Sequence, residues 1–130
     1  MDTAVFTGVI LLVIVVPTAI AVGTMAWRRR SLPGARPFLL IVILTFWWTV
    51  ADAIEIMTPG LEAKLLWANL QYVPMTLIPA AWLAMAFDYT GRRRWINAKS
   101  GAMFCLVPLV TNILVWSDRY HHLMRPAIWL

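Results

Sequence analysis

Long uncharged apolar runs alternate with short polar connections along the chain, over residues 3–27, 37–51, 65–87 and 100–116. An α-helix needs about 20 residues to cross a hydrocarbon core of about 30 Å, so each run reads as a membrane-crossing helix. Asp52 and Glu55 end the count of the second run, but its helix is expected to continue to Met57. The predicted elements are helices over residues 3–27, 37–57, 62–90 and 96–116, followed by a tail over 117–130. The fold class is therefore all-α: an integral membrane bundle of four transmembrane helices.

Polar residues inside these runs are the positions to explain, because a lipid-facing helix has no reason to carry them. In the second run Thr45, Trp48, Asp52 and Glu55 fall at i, i+3, i+7 and i+10, on one helical face. At about 1.5 Å per residue from Pro37, Asp52 lies about 22 Å into the core, in its outer third, and Glu55 approaches the interface. An intramembrane carboxylate costs roughly 2.5 to 3.5 kcal/mol, so it should face the bundle interior, a partner or water. The third run carries Asn69, Tyr72 and Thr76 at spacings of three and four, with Pro74 and Pro79 removing two intrahelical N–H groups. The fourth brings Thr111 and Asn112 to a similar depth, and His121 follows in the tail. Asp52, Glu55, Asn69, Tyr72, Thr76, Asn112 and His121 are thus the candidate ligand-binding residues. The competing structural reading is interhelical hydrogen bonding around a kinked helix.

Composition agrees with the pattern: 62% of residues are hydrophobic and 13% charged, against roughly 45 to 50% and 25% in soluble domains. The net charge of +5 does not point to nucleic acid, because the basic residues lie between the apolar runs rather than on a soluble face. It reports topology. Arg28, Arg29, Arg30, Arg36, Arg92, Arg93, Arg94 and Lys99 occupy the connections on one side, while Lys64, Arg119 and Arg125 lie on the other. The positive-inside rule then puts the N-terminus outside and both arginine clusters in the cytoplasm, in a multi-pass protein of the plasma membrane. The first run is no cleaved signal peptide, since it is too long and its basic cluster follows it. The single cysteine, Cys105, excludes an intrachain disulfide and reads as an apolar filler.

The connections carry their own signals. Trp27 beside Arg28 to Arg30 is an aromatic-plus-basic anchor, which anionic lipid could also exploit. Pro33-Gly34 marks a tight turn, with Pro37 in the first turn of the second helix. Thr58 is expected to cap the third helix with Pro59 at its first position. Gly91 should stop that helix, and Asp88 should pair with the arginines beyond it. Adjacent His121 and His122 with Asp118 diverge too much for a metal site, and no phosphate loop, nucleophile elbow or metalloprotease helix is present. No catalytic residue, metal or cofactor is assigned.

Several of these residues together carry a resemblance: Glu55; Lys64, Trp67, Gln71, Tyr72 and Pro79; Tyr89-Thr90-Gly91; Pro108; and Ser117-Asp118-Arg119-Tyr120-His121-His122-Leu123. In that order and spacing the chain resembles the N-terminal seven-helix sensor region of membrane-bound histidine kinases. Ser117 and Asp118 depart from the family's usual Thr-Asn pair. The resemblance implies an input module that detects a signal at or within the membrane and passes it to cytoplasmic output domains, commonly a PAS domain and a kinase or a cyclic-dinucleotide synthase; the sensor reading of the polar residues makes that signal a small molecule or lipid. It also implies that these are the first four helices of a longer protein, with a homodimer among the expected assemblies. Two other functions fit the bare pattern. One is a small four-helix transporter or channel with Asp52 as coupling acid, against which stand the strong charge bias and the lack of an acid inside the first helix. The other is a structural membrane subunit whose polar stripes only hold helices together.

Overall fold

The computed structural model describes residues 2–124. It contains α1 (Thr3–Arg28), α2 (Ala35–Met57), α3 (Leu61–Tyr89), a 3-10 turn (Arg93–Trp95), α4 (Ala98–Trp116) and a single-turn α5 (Asp118–His121). All four long helices are long and apolar enough to cross a membrane. Arg125 and residues 126–130 of the expected tail lie outside the described residues.

Consecutive helices pack antiparallel, α1 on α2, α2 on α3 and α4 on α3. The α2–α3 interface is the most extensive and α3–α4 the thinnest of the three. Most large apolar side chains on α1 and α4 face outward, as expected where lipid tails are as apolar as the side chains themselves. Between α1 and α2 the closest approach is made by small residues. At Gly8 of α1 a Cβ would meet the Met57 side chain at 2.7 Å and the Ala53 carbonyl oxygen at 3.1 Å. Ala53 and Ala51 are themselves 0% and 1% exposed. Gly8 thus lets two backbones approach where any side chain would push them apart.

The turns follow from local chemistry. Gly34 takes a left-handed φ of 79° ahead of α2, and its N–H donates to Asp88 Oδ2 at 2.8 Å. This bond joins the α1–α2 turn to the end of α3. Asp88 thereby holds that turn. At the end of α3 Gly91 has φ 72°, and the Arg92 N–H returns to the Phe87 carbonyl at 3.0 Å. With the Gly91 N–H directed to the Asp88 carbonyl, this forms a Schellman stop. α4 opens on a capping box in which Asn97 Oδ1 accepts from the Ser100 N–H and Ser100 Oγ accepts from the Asn97 N–H.

Thr58 does not cap α3. It closes α2 instead, its hydroxyl donating to the Ile54 carbonyl at 2.6 Å and its N–H to the Glu55 carbonyl at 3.1 Å. The following Pro59 disfavours helical geometry at Thr58, which is extended at φ −85°, ψ 121°. Gly60 becomes the residue before α3, Leu61 the first helical position, and Glu62 sits in the first turn.

Candidate functional site

One seam runs the length of the α2–α3 interface. On α2 it is built by Ile41, Leu44, Trp48, Asp52 and Glu55, spaced by threes and fours so that they stay on one face. On α3 it is built by Met85, Ala81, Ile78, Met75, Gln71, Ala68 and Lys64. Its two halves differ. Toward the α1–α2 turn, Ile41, Leu44 and Ala81 form a buried cluster against Leu77, Ile78 and Met85. Toward the α2–α3 turn the helices frame an open groove of about 570 Å³, whose lining includes Trp48, Asp52, Glu55, Lys64, Gln71 and Tyr72.

The groove holds the intramembrane acids. Gln71 Nε2 donates to Glu55 Oε2 across the seam, so Glu55 has a neutral partner and closes one side of the groove. Asp52 makes no hydrogen bond or ion pair to a described residue and is half-buried. Lys64 lines the same groove without being paired to either carboxylate. Two acids, one amine, an amide and two aromatic side chains thus converge on one wall-to-wall space.

The seven sequence-selected residues divide among three places. Asp52, Glu55 and Tyr72 share the α2–α3 groove. Asn69 lines a different groove of about 530 Å³ on the other flank of α3, with Val115, Asp118 and Arg119. Below it, Asn112 Nδ2 donates to Thr76 Oγ1 at 2.9 Å and to the Pro108 carbonyl at 2.8 Å. Thr76 Oγ1 in turn donates to the Tyr72 carbonyl at 2.7 Å. Asn112 Oδ1 is buried and makes no hydrogen bond to a described residue. The Phe87 and Phe104 rings, 6.3 Å apart, stack at the far end of the same α3–α4 interface.

His121 belongs to a third cluster, a hook after α4. Its Nε2 lies 2.9 Å from Ser117 Oγ, whose hydroxyl donates to the Ile113 carbonyl at 2.6 Å. Asp118, only 5% exposed, accepts the Met124 N–H at 2.7 Å. His121 Nδ1 stands 3.7 Å from the same Asp118 oxygen. His122 turns left-handed at φ 52° and donates its N–H to the Asp118 carbonyl. The hook is held by the residues that the Ser117–Leu123 motif supplies, chiefly Asp118.

Sequence reasoning missed the Glu55–Gln71 bond. Its signal was present: Gln71 is a polar residue inside an uncharged run, at a depth matching Glu55 in an antiparallel hairpin. It also missed the Asp88–Gly34 bond, for which no local pattern exists.

Against known proteins, residues 10–130 match the family described as the N-terminal 7TM region of histidine kinase. Neither a curated protein nor a solved structure matches the chain.

Proposed function

We propose, because the chain belongs to the family of N-terminal 7TM regions of histidine kinases, that it is a signal-input module and that the polar half of the α2–α3 seam receives the signal. The family and the four apolar spans make it a multi-pass protein of the plasma membrane. The observation that carries the site is Asp52. A carboxylate within a spanning helix costs roughly 2.5 to 3.5 kcal/mol on insertion scales, and here it faces an open groove with no described residue to compensate it. Such a group is suited to meet something that enters from outside the helices, a small polar ligand or water, with Trp48 and Tyr72 supplying apolar contact.

In this reading α3 is the relay. One edge of its polar face borders the groove through Lys64, Gln71 and Tyr72, and the adjoining edge is tied to α4 through Thr76 and Asn112. Its far end holds the α1–α2 turn through Asp88. A ligand that favours one α2–α3 spacing over another biases a rigid element with attachments at both ends, and the bias equals its difference in affinity for the two arrangements. The charge asymmetry supports an N-terminus outside and arginine clusters in the cytoplasm, so that the groove faces outward and the Asp88 end faces the output domains. The family match favours this reading over a small transporter.

The test is the signalling response of the intact protein carrying Asp52→Asn or Tyr72→Phe. Both variants should insert normally and lose the response to stimulus. A response unchanged in both, with normal membrane insertion, contradicts the site.

A further inference from the structure

A second apolar space lies at the opposite end of the described helices from the groove described above. It is a channel of about 750 Å³ between the last turns of α1, the first turns of α2 and the last turns of α3. Its walls are almost wholly apolar, among them Val22, Met25, Leu32, Phe38, Met85 and Ala86, and Arg29 stands at its edge. Leu32 and Pro33 also line a second, smaller space of about 250 Å³, bordered by Arg30, Ser31, Arg36 and Asp88. An apolar channel and a basic vestibule thus adjoin at the Leu32–Pro33 wall.

The charges around the vestibule are unequal. Arg29, Arg30 and Arg36 are all exposed, and the facing carboxylate is Asp88, one of whose oxygens is committed to the Gly34 N–H at 2.8 Å. The Arg30 guanidinium is held 4.5 Å from the Trp27 ring centroid, which fixes its position near the helix end. Planar guanidinium groups at the level of a helix terminus recognise phosphate, and an apolar channel beside them has the shape and polarity for an acyl chain. A neutral lipid would use only the apolar half and a soluble anion only the basic half; an anionic amphiphile uses both.

We infer that the channel and vestibule form a seat for one anionic phospholipid, with an acyl chain between α1, α2 and α3 and the phosphate at Arg29, Arg30 and Arg36. The lipid joins the three helix ends that Asp88 and Gly34 already connect. It is independent of the proposed signal groove, since the two share no lining residue.

The test is native mass spectrometry of the purified chain in neutral detergent containing equal amounts of phosphatidylglycerol and phosphatidylcholine. One phosphatidylglycerol should be retained in preference. Each arginine near an anionic headgroup contributes about fivefold in affinity, so Arg29→Gln with Arg36→Gln should lower retention by roughly 25-fold. Ala86→Phe, which fills the channel without altering charge, should also lower it, whereas Ala102→Phe, an equal addition of bulk to the exposed surface of α4, should not. Equal retention of the two lipids would overturn the seat. So would a preference that survives Ala86→Phe, inorganic phosphate competing as well as the whole lipid, or retention that disappears in a dimer because a second copy fills the channel.

Discussion

The two halves of the α2–α3 seam use the same helix faces and the same spacing, yet one is closed and the other open. In the closed half Ala81 faces Ile41 and Leu44 and is 4% exposed. In the open half Ala68 occupies the corresponding stripe of α3, but the residues around it are Trp48, Asp52, Lys64 and Gln71, and it borders a groove. Inside a bilayer, burying apolar surface between helices gains little over burying it in lipid; packing and polar contacts decide the interface. Small and branched residues pack. Charged side chains leave their part of the interface open, bridged by the Glu55–Gln71 bond.

The largest test of this contrast is one substitution made twice. Ala81→Phe forces a ring into a packed site and should cost about 1 to 3 kcal/mol, read as a lower unfolding temperature in detergent. Ala68→Phe enters open space and should leave that temperature within about 0.5 kcal/mol of the parent, while abolishing the signalling response by filling the groove. Equal destabilisation by the two would erase the distinction between the halves. Leu44→Ala comes next. In soluble cores such a change costs about 2 to 5 kcal/mol, partly for lost transfer from water; between lipid-embedded helices that part is absent and about 1 to 2 kcal/mol is expected.

Smaller still is the bond across the open half. A double-mutant cycle on Glu55→Leu and Gln71→Leu, measured by unfolding in mixed micelles, should give a coupling of about 0.6 kcal/mol, the scale of interhelical hydrogen bonds in membranes. Coupling near zero would mean that Glu55 does not close the groove. Thr76→Val should have the least effect, about 0.5 kcal/mol or less, because Asn112 keeps its bond to the Pro108 carbonyl. A larger loss would move the weight of the bundle from α2–α3 to α3–α4.

The four helices were legible because apolar runs in this chain end on arginines, prolines and glycines. The α2 stripe was legible for the same reason as any helical face: Trp48, Asp52 and Glu55 keep their spacing wherever the helix goes. Partner assignment was not. Asn69, Tyr72 and Thr76 look equivalent by spacing, yet α3 has a neighbour on each side, so Tyr72 borders α2 while Thr76 bonds to α4. Periodicity marks a face; it does not say which of two neighbours covers each edge of it. Thr58 misled for a different reason, since a hydroxyl before Pro-Gly serves equally to end one helix or begin the next. His121 was separated from Asp52 by the hook at Asp118, a structure of eight residues over 117–124 with no periodic signature.

The most direct measurement is thiol accessibility along the seam, made in open membrane fragments so that both sides are exposed. Ala68→Cys and Ala81→Cys are prepared with Cys105 replaced by serine and treated with a charged, water-soluble thiol reagent. Labelling at position 68 and protection at position 81 is the predicted result, with labelling at 68 also silencing the signalling response. Equal labelling at both positions, or none at either, would contradict a polar groove built on a packed seam.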